Sequence, residues 1–253
     1  MRYFIINCTD NDSYTKQAEE QLDCVAEIKK CDAFLVFGGD GAMLHSIHRY
    51  RNHNLPFIGI NAGTRGHLMN SPPEPMECLK RLDEVTYEDL WLLAVDVKTS
   101  QGEQHICGFN DVWVQRLHGQ TLRMRLTINN EPQPSLMVGD GILFSTPQGS
   151  TGYNRALRGK AISPGVGVLQ VTPMACVVNK MPLDSIILPD TSVVTVDFEQ
   201  ISKRPGVCSH DGLELPIYPV TQMTVKKSNE TVCLGFIPEY SFIRKVLSWQ
   251  LLF

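Results

Sequence analysis

AFLVFGGDGAMLHSIHRY, residues 33–50, is the stretch on which the reading of the fold turns. FLVF reads as a strand buried on both faces, GGDG as the turn beyond its C-terminal end, and AMLHSIHRY as the helix that follows. Ligands of open α/β sheets bind at that edge. The glycines Gly38, Gly39 and Gly41 let a backbone come close to a phosphate and aim N–H groups at it, and the helix start adds partial positive charge. Asp40 opposes that arrangement unless it handles a proton, a metal or a hydroxyl. The plainer reading is a helix cap, for which Asp is a favoured residue. The spacing is neither GxGxxG nor GxxxxGKS.

The pattern around this stretch is a βαβ rhythm. A strand is expected at Tyr3–Asn7, a helix around Tyr14–Ile28, the strand at Ala33–Phe37, a helix at Ala42–Arg51, a strand at Pro56–Ile60 and a helix at about Pro75–Val85. Such alternation predicts a parallel sheet covered by helices. From about Leu90 the pattern becomes all-β, with runs such as LLAVDVKT, GFNDVWVQR, SVVTVDF and TVCLGFI separated by turn residues. After Pro238 it turns helical again, with Phe242, Val246 and Trp249 on one face. The expected division is an N-terminal α/β domain, 1–90, completed by 237–253, and a β-rich domain, 91–236.

Composition narrows the function. The chain has 253 residues, 43% hydrophobic and 20% charged, with a formal net charge of −4. That balance argues against a general nucleic-acid binder, which needs a basic excess. No run approaches the ~20 apolar residues that span a bilayer. Eight cysteines lack the CxxC pairs or regular spacing of a zinc or disulfide framework, and they read as reduced thiols in a cytoplasmic protein. His45 and His48, at i and i+3, lack the further ligands a zinc site needs.

Three more stretches carry candidate chemistry. FNDVWVQR sets Asn110 and Asp111 inside an apolar β pattern. GDGILFSTPQGSTGYNRALRGKAISP, residues 139–164, joins Asp140–Gly141 to a Ser/Thr/Gly-rich loop ending at Tyr153, a composition suited to sugars and phosphates. SHDGLEL adds Asp211–Gly212, which by itself reads more readily as a hairpin turn.

Taken in this order, GGDG, Asn110–Asp111, DGxxxSTPxGSTxY and the late Asp211–Gly212 resemble the NAD kinase family over nearly the whole chain. The segment VKKSNETVCLGFIPEYSFIRKVLS is similar to the tail of its shorter bacterial members. The resemblance implies a Rossmann-like N-terminal α/β domain, a β-rich C-terminal domain of the family's own type, and a homodimer or homotetramer. It also implies transfer of the γ-phosphate of ATP, or of polyphosphate in some members, to the adenosine-ribose 2′-hydroxyl of NAD, with Mg²⁺ carried by the nucleotide rather than by dedicated protein ligands.

Carried over residue by residue, the resemblance makes Asp40 the general base, with Gly38, Gly39 and Gly41 at the nucleotide. Asn110 and Asp111 hold the ribose hydroxyls; Thr151, Gly152, Tyr153 and Ala156 belong to the nucleoside pocket. Asp140 and Asp211 fall near the second nucleoside or a subunit interface, and His67 adjoins the base. Four positions depart from the family pattern: Ala42 for Thr, Arg65 for Leu, His67 for Phe and Arg158 for Gly. The alternatives are a GGDG-type lipid kinase, for which no basic membrane-facing run is present, and a dinucleotide-binding regulator without catalysis.

Overall fold

A computed structural model describes residues 1–64, 66–214 and 218–251. The chain forms two compact units, Met1–Leu90 with Thr231–Phe253, and Trp91–Glu230.

The first unit is built on parallel strands β1 (Tyr3–Asn7), β2 (Ala33–Gly38) and β3 (Phe57–Asn61), with β2 in the middle. Leu234–Gly235, at the end of the strand Val220–Phe236, pairs parallel to Phe57–Ile58. Every residue of β2 is buried, as a central parallel strand requires. Helix α1 (Ser13–Gln21) covers the face that carries Leu35 and Phe37, with Tyr14 stacked 5.6 Å from the Phe37 ring. Helix α2 (Asp40–Tyr50) lies on the other face, where Phe34 stacks on Phe57 at 4.8 Å and on Tyr50 at 5.2 Å. The strand–turn–helix reading of residues 33–50 therefore stands, with the helix starting two residues early, at Asp40.

Two expected helices differ. Instead of running to Ile28, α1 ends at Gln21, because Leu22 turns to extended backbone and Asp23–Val25 pairs beside β1: Tyr3 N donates to Asp23 O and Val25 N to Tyr3 O, both at 2.9 Å. An edge strand with open backbone groups outcompetes about two more turns of a weakly apolar helix. Pro75–Glu84 is 3₁₀ rather than α, interrupted at Arg81, whose guanidinium is held by Glu84 at 2.6 Å and by Glu239. The C-terminal helix Phe242–Leu251 buries Phe242 and Val246; the side chain of Trp249 lies outside the described part.

The second unit holds an antiparallel six-stranded sheet in the order Ile186–Pro189, Val168–Met174, Gly141–Ser145, Asp111–Arg116, Gly206–His210, Leu213–Glu214. Against it, Leu122–Ile128 pairs on one side with Val194–Phe198 and on the other with Met137–Gly139. Val112, Val114, Ile142 and Phe144 of the first group pack in one core with Met124 and Val196 of the second and with Met223 of the strand Val220–Phe236, which pairs with Val194–Phe198. No helix among the described residues is long and apolar enough to cross a membrane.

Candidate active site

In the first unit the GGDG turn joins β2 to α2. Gly39 is the cap residue and Asp40 the first helical residue, and no side chain caps the helix. The Asp40 carboxylate instead reaches the turn after β3: Oδ2 accepts from the His67 amide and Oδ1 from the Leu68 amide, both at 2.9 Å. Two backbone donors in fixed positions leave the carboxylate one orientation, with lone pairs to spare. Gly39 and Gly41 open onto space that a β-carbon would not obstruct. Gly38 is closed off, since a β-carbon there would come within 2.5 Å of Ala42 Cβ. The missing Thr hydroxyl at Ala42 thus sits at a tight contact between strand end and helix.

His67 contributes through its backbone. Its amide serves Asp40, its carbonyl accepts from Lys245 Nζ at 3.0 Å, and its ring lies 5.9 Å from the Phe242 ring. Asn70 locks the far end of the same turn. Fully buried, it donates to Gly59 O at 2.8 Å and Gly235 O at 3.1 Å and accepts from Ile237 N at 2.8 Å. Arg65 lies outside the described residues.

In the second unit the other motifs converge on three backbone residues, Phe109–Asp111. Their N–H groups all donate to one carboxylate, that of Asp211, at 2.6, 2.7 and 3.1 Å. The carbonyls of Phe109 and Asn110 face the STPQGST segment: Thr146 Oγ1 donates to Phe109 O at 2.8 Å and Asn110 O at 3.0 Å, and Gln148 Nε2 to Phe109 O at 2.9 Å. Gly149 is required by the same closeness, since a β-carbon there would stand 2.0 Å from Asn110 O. Asp211 and Gly212 are the central residues of a two-residue hairpin turn with φ of 46° and 80°. Asp211 is thus at once a turn residue and an anchor.

The hub leaves two groups for a ligand. Asn110 Oδ1 is buried without a hydrogen-bond partner among the described residues, an acceptor suited to a hydroxyl. Asp111 is 4% exposed, and a β-carbon on Gly152 would lie 3.8 Å from its Oδ2. Burial, and then the charge of Asp211, push the Asp111 carboxyl well above the usual carboxylate range.

That shift has a consequence for stability. A carboxyl whose folded value is raised binds more protons folded than unfolded, so its contribution declines as pH rises above the ordinary carboxylate range. Asp111→Asn, neutral at every pH, is therefore expected to gain in melting temperature over the wild type progressively from pH 4 to 8. A difference that stays constant with pH sinks the assignment.

Thr151 ends the 3₁₀ turn Gln148–Thr151, Gly152 follows, and Tyr153 and Ala156 bound the short helix Tyr153–Ala156. Tyr153 stands edge-on to Trp113 at 5.2 Å and lines a cavity of about 590 Å³ with Asp140 and Arg116. Asp140 is paired there with Arg116 at 2.8 Å. Ala156 lines a neighbouring cavity of about 620 Å³ with Arg158 and Lys160. Arg158 has a φ of 66°, the left-handed conformation that suits the glycine of the family pattern.

Sequence reading overlooked Lys245, Asn70 and the polar supports Thr146, Gln148 and Asn154. A signal existed for the first: a lysine between Phe242 and Val246 interrupts the apolar stripe of the last helix.

A parallel α/β unit with a glycine turn around one fixed carboxylate, followed by a β unit whose polar loop is organised around an Asn-Asp pair, defines a nucleotide-binding class of protein. Comparison with known proteins narrows it. The ATP-NAD kinase N-terminal domain matches residues 1–89 and the ATP-NAD kinase C-terminal domain residues 109–234. An NAD kinase of Rickettsia bellii is 30% identical over 87% of this chain and 86% of its own, and one of Rickettsia prowazekii 31% identical over 81% and 79%. The chain belongs to the NAD kinase family. The fold agrees: the crystal structure of yeast NADH kinase complexed with NADH superposes with a TM-score of 0.84 at 17% identity, covering 99% of this chain and 87% of that one. An Archaeoglobus fulgidus NAD kinase in complex with ATP gives 0.75 at 18% identity, covering 95% of each.

Proposed function

We propose that this protein is an NAD kinase, transferring the γ-phosphate of ATP to the 2′-hydroxyl of the adenosine ribose of NAD to form NADP and ADP. Family membership supports the reaction class, and the Asp40 carboxylate, held by two backbone amides and not used as a cap, is the observation that carries the chemistry. The comparisons lend no support to a lipid kinase or to an inactive regulator.

Phosphoryl transfer is mostly positioning and charge neutralisation. Asp40 accepts the proton of the 2′-hydroxyl as that oxygen bonds to the γ-phosphorus and the bond to the β-phosphate oxygen breaks. The amides of the Gly39–Gly41 turn and the start of α2 take the phosphates. Asn110, through its Oδ1, and Asp111, through a carboxyl that burial pushes above the usual carboxylate range, hold ribose hydroxyls. Thr151, Gly152, Tyr153 and Ala156 belong to the nucleoside pocket, and Asp140 to a second nucleoside subsite with Arg116. Asp211 acts one step back, through the backbone of the Asn-Asp pair.

A divalent cation fits this arrangement only as a companion of the triphosphate. The turn offers a single carboxylate, and Mg²⁺ is bound through one or two carboxylates together with substrate phosphates. Mg²⁺ arriving with ATP supplies charge screening on the phosphates, and polyphosphate could bring it likewise. The protein is proposed to act in the cytoplasm, where its eight cysteines stay reduced, and as a homodimer or homotetramer. Exposed apolar residues on short outer strands support the oligomer: Val177, Met181, Ile186 and Ile187.

Purified protein with NAD, ATP and Mg²⁺ is expected to accumulate NADP. Dinucleotide binding without NADP formation would instead favour the regulator, and absence of dinucleotide binding would remove the proposal altogether.

A further inference from the structure

We propose that Lys245 is a positioning residue for Asp40, acting from the C-terminal helix through the turn that holds the carboxylate. The inference rests on the reading of Asp40 as the base. Lys245 Nζ donates to the carbonyls of His67 and Met69, which flank Leu68, and the amides of His67 and Leu68 are the two donors that fix the Asp40 oxygens. One side chain therefore grips the carbonyl side of a turn whose amide side grips the carboxylate. Asn70, tied to Gly235 and Ile237, secures the end of that turn.

The setting of Lys245 is unusual for a structural lysine. It is half-buried on the inner face of the helix beside the buried Phe242 and Val246, with Nζ 4.8 Å from the centre of the Phe236 ring. Burial pushes its amine down to about 7, against the opposing pull of Asp40, Glu88 and Cys78. Glu88 is itself raised by burial, and Cys78 is pushed up to about 12, so Asp40 is the carboxylate that weighs most in this surround. Two N–H donors answer two carbonyls whether the amine is charged or neutral. Positioning thus persists across neutral pH, while the charge beside Asp40 changes there.

The test is a cycle of substitutions read by steady-state kinetics and NAD binding. Lys245→Met keeps the length and the apolar packing but removes both donors. Its kcat is expected to fall about 10- to 100-fold, the scale of a small misplacement of a reacting group, with NAD affinity unchanged. Lys245→Arg, which restores two donors, should recover most of the loss. In an Asp40→Asn background Lys245→Met should cost nothing further, because its effect runs through Asp40.

Wild-type kcat in folded Lys245→Met, or an equal loss with and without Asp40, overturns the inference and leaves the reading of Asp40 intact. Unchanged turnover in Asp40→Asn alone overturns both. Should Lys245→Met fail to fold, Lys245→Gln carries the test. Its shorter side chain falls short of both carbonyls, so its kcat is expected to fall by a similar factor with NAD affinity unchanged. Wild-type kcat in that variant refutes the role.

Discussion

Asp40→Asn is expected to yield a folded protein that binds NAD and turns over about 10²–10⁴ times more slowly, the usual scale of a general base. The substitution keeps size and one carbonyl oxygen, so an amide of the His67–Leu68 pair retains its acceptor. The other then meets an NH₂ group, a loss of about 1–3 kcal/mol for an unsatisfied donor. Stability should therefore drop modestly while the rate collapses. A helix cap predicts the same modest drop with no change in rate, so the kinetic readout separates the two. The structure already bears on that choice, since Gly39 holds the cap position and the carboxylate points to the turn after β3. Turnover within about threefold of wild type, with unchanged NAD affinity, would leave Asp40 as a clasp between helix and turn and nothing more.

Much of this unit can be read from residues 33–50 because its determinants are local. A run of apolar residues long enough for one buried strand, glycines at its end and a helical spacing beyond require no knowledge of the rest of the chain. The end of α1 was not readable in that way. Glu19, Glu20 and Gln21 continue a helical pattern, and what stops it is the open edge of β1, to which Asp23–Val25 adds. Lys245 poses the same difficulty at longer range. Its place in the apolar stripe marks it as anomalous, yet its partners, the carbonyls of His67 and Met69, lie 178 and 176 positions away in the chain.

In the β unit the polar side chains of one motif divide between protein and ligand. STPQGST has the composition of a sugar- or phosphate-binding loop, but Thr146, Gln148 and Ser150 spend their polar groups on protein carbonyls. Asn154 is also spent within the protein, donating to Ser150 O at 3.1 Å and accepting from Thr172 Oγ1 at 2.6 Å. A hydroxyl facing a carbonyl and one facing a ligand look alike in sequence. The difference appears only once Phe109–Asp111 is seen to be a segment whose backbone must be satisfied by side chains, because it sits buried between strands. The loop thus holds the backbone of Asn110 and Asp111 still.

Asp211→Ala follows from that view as the second large effect. It removes the one acceptor shared by three buried amides. Each abandoned donor costs about 1–3 kcal/mol, and an alanine at a φ of 46° adds about 1–2 kcal/mol of left-handed strain. Relief of the repulsion with Asp111 returns part of this, and neighbouring losses do not add in full. A net destabilisation of about 3–5 kcal/mol is expected from these magnitudes, measured by denaturant unfolding, together with loss of NAD binding in whatever protein remains folded. Asp211→Asn should be far milder, since Asn tolerates the left-handed turn and keeps one oxygen for Asn110 and Asp111. If Asp211 touched the dinucleotide directly, the pattern would invert: Asn would cost affinity as heavily as Ala while stability barely moved. Equal stability of Ala and wild type would mean that the hub is held by the STPQGST carbonyl contacts alone, and the hairpin at Asp211–Gly212 would be a turn without a second duty.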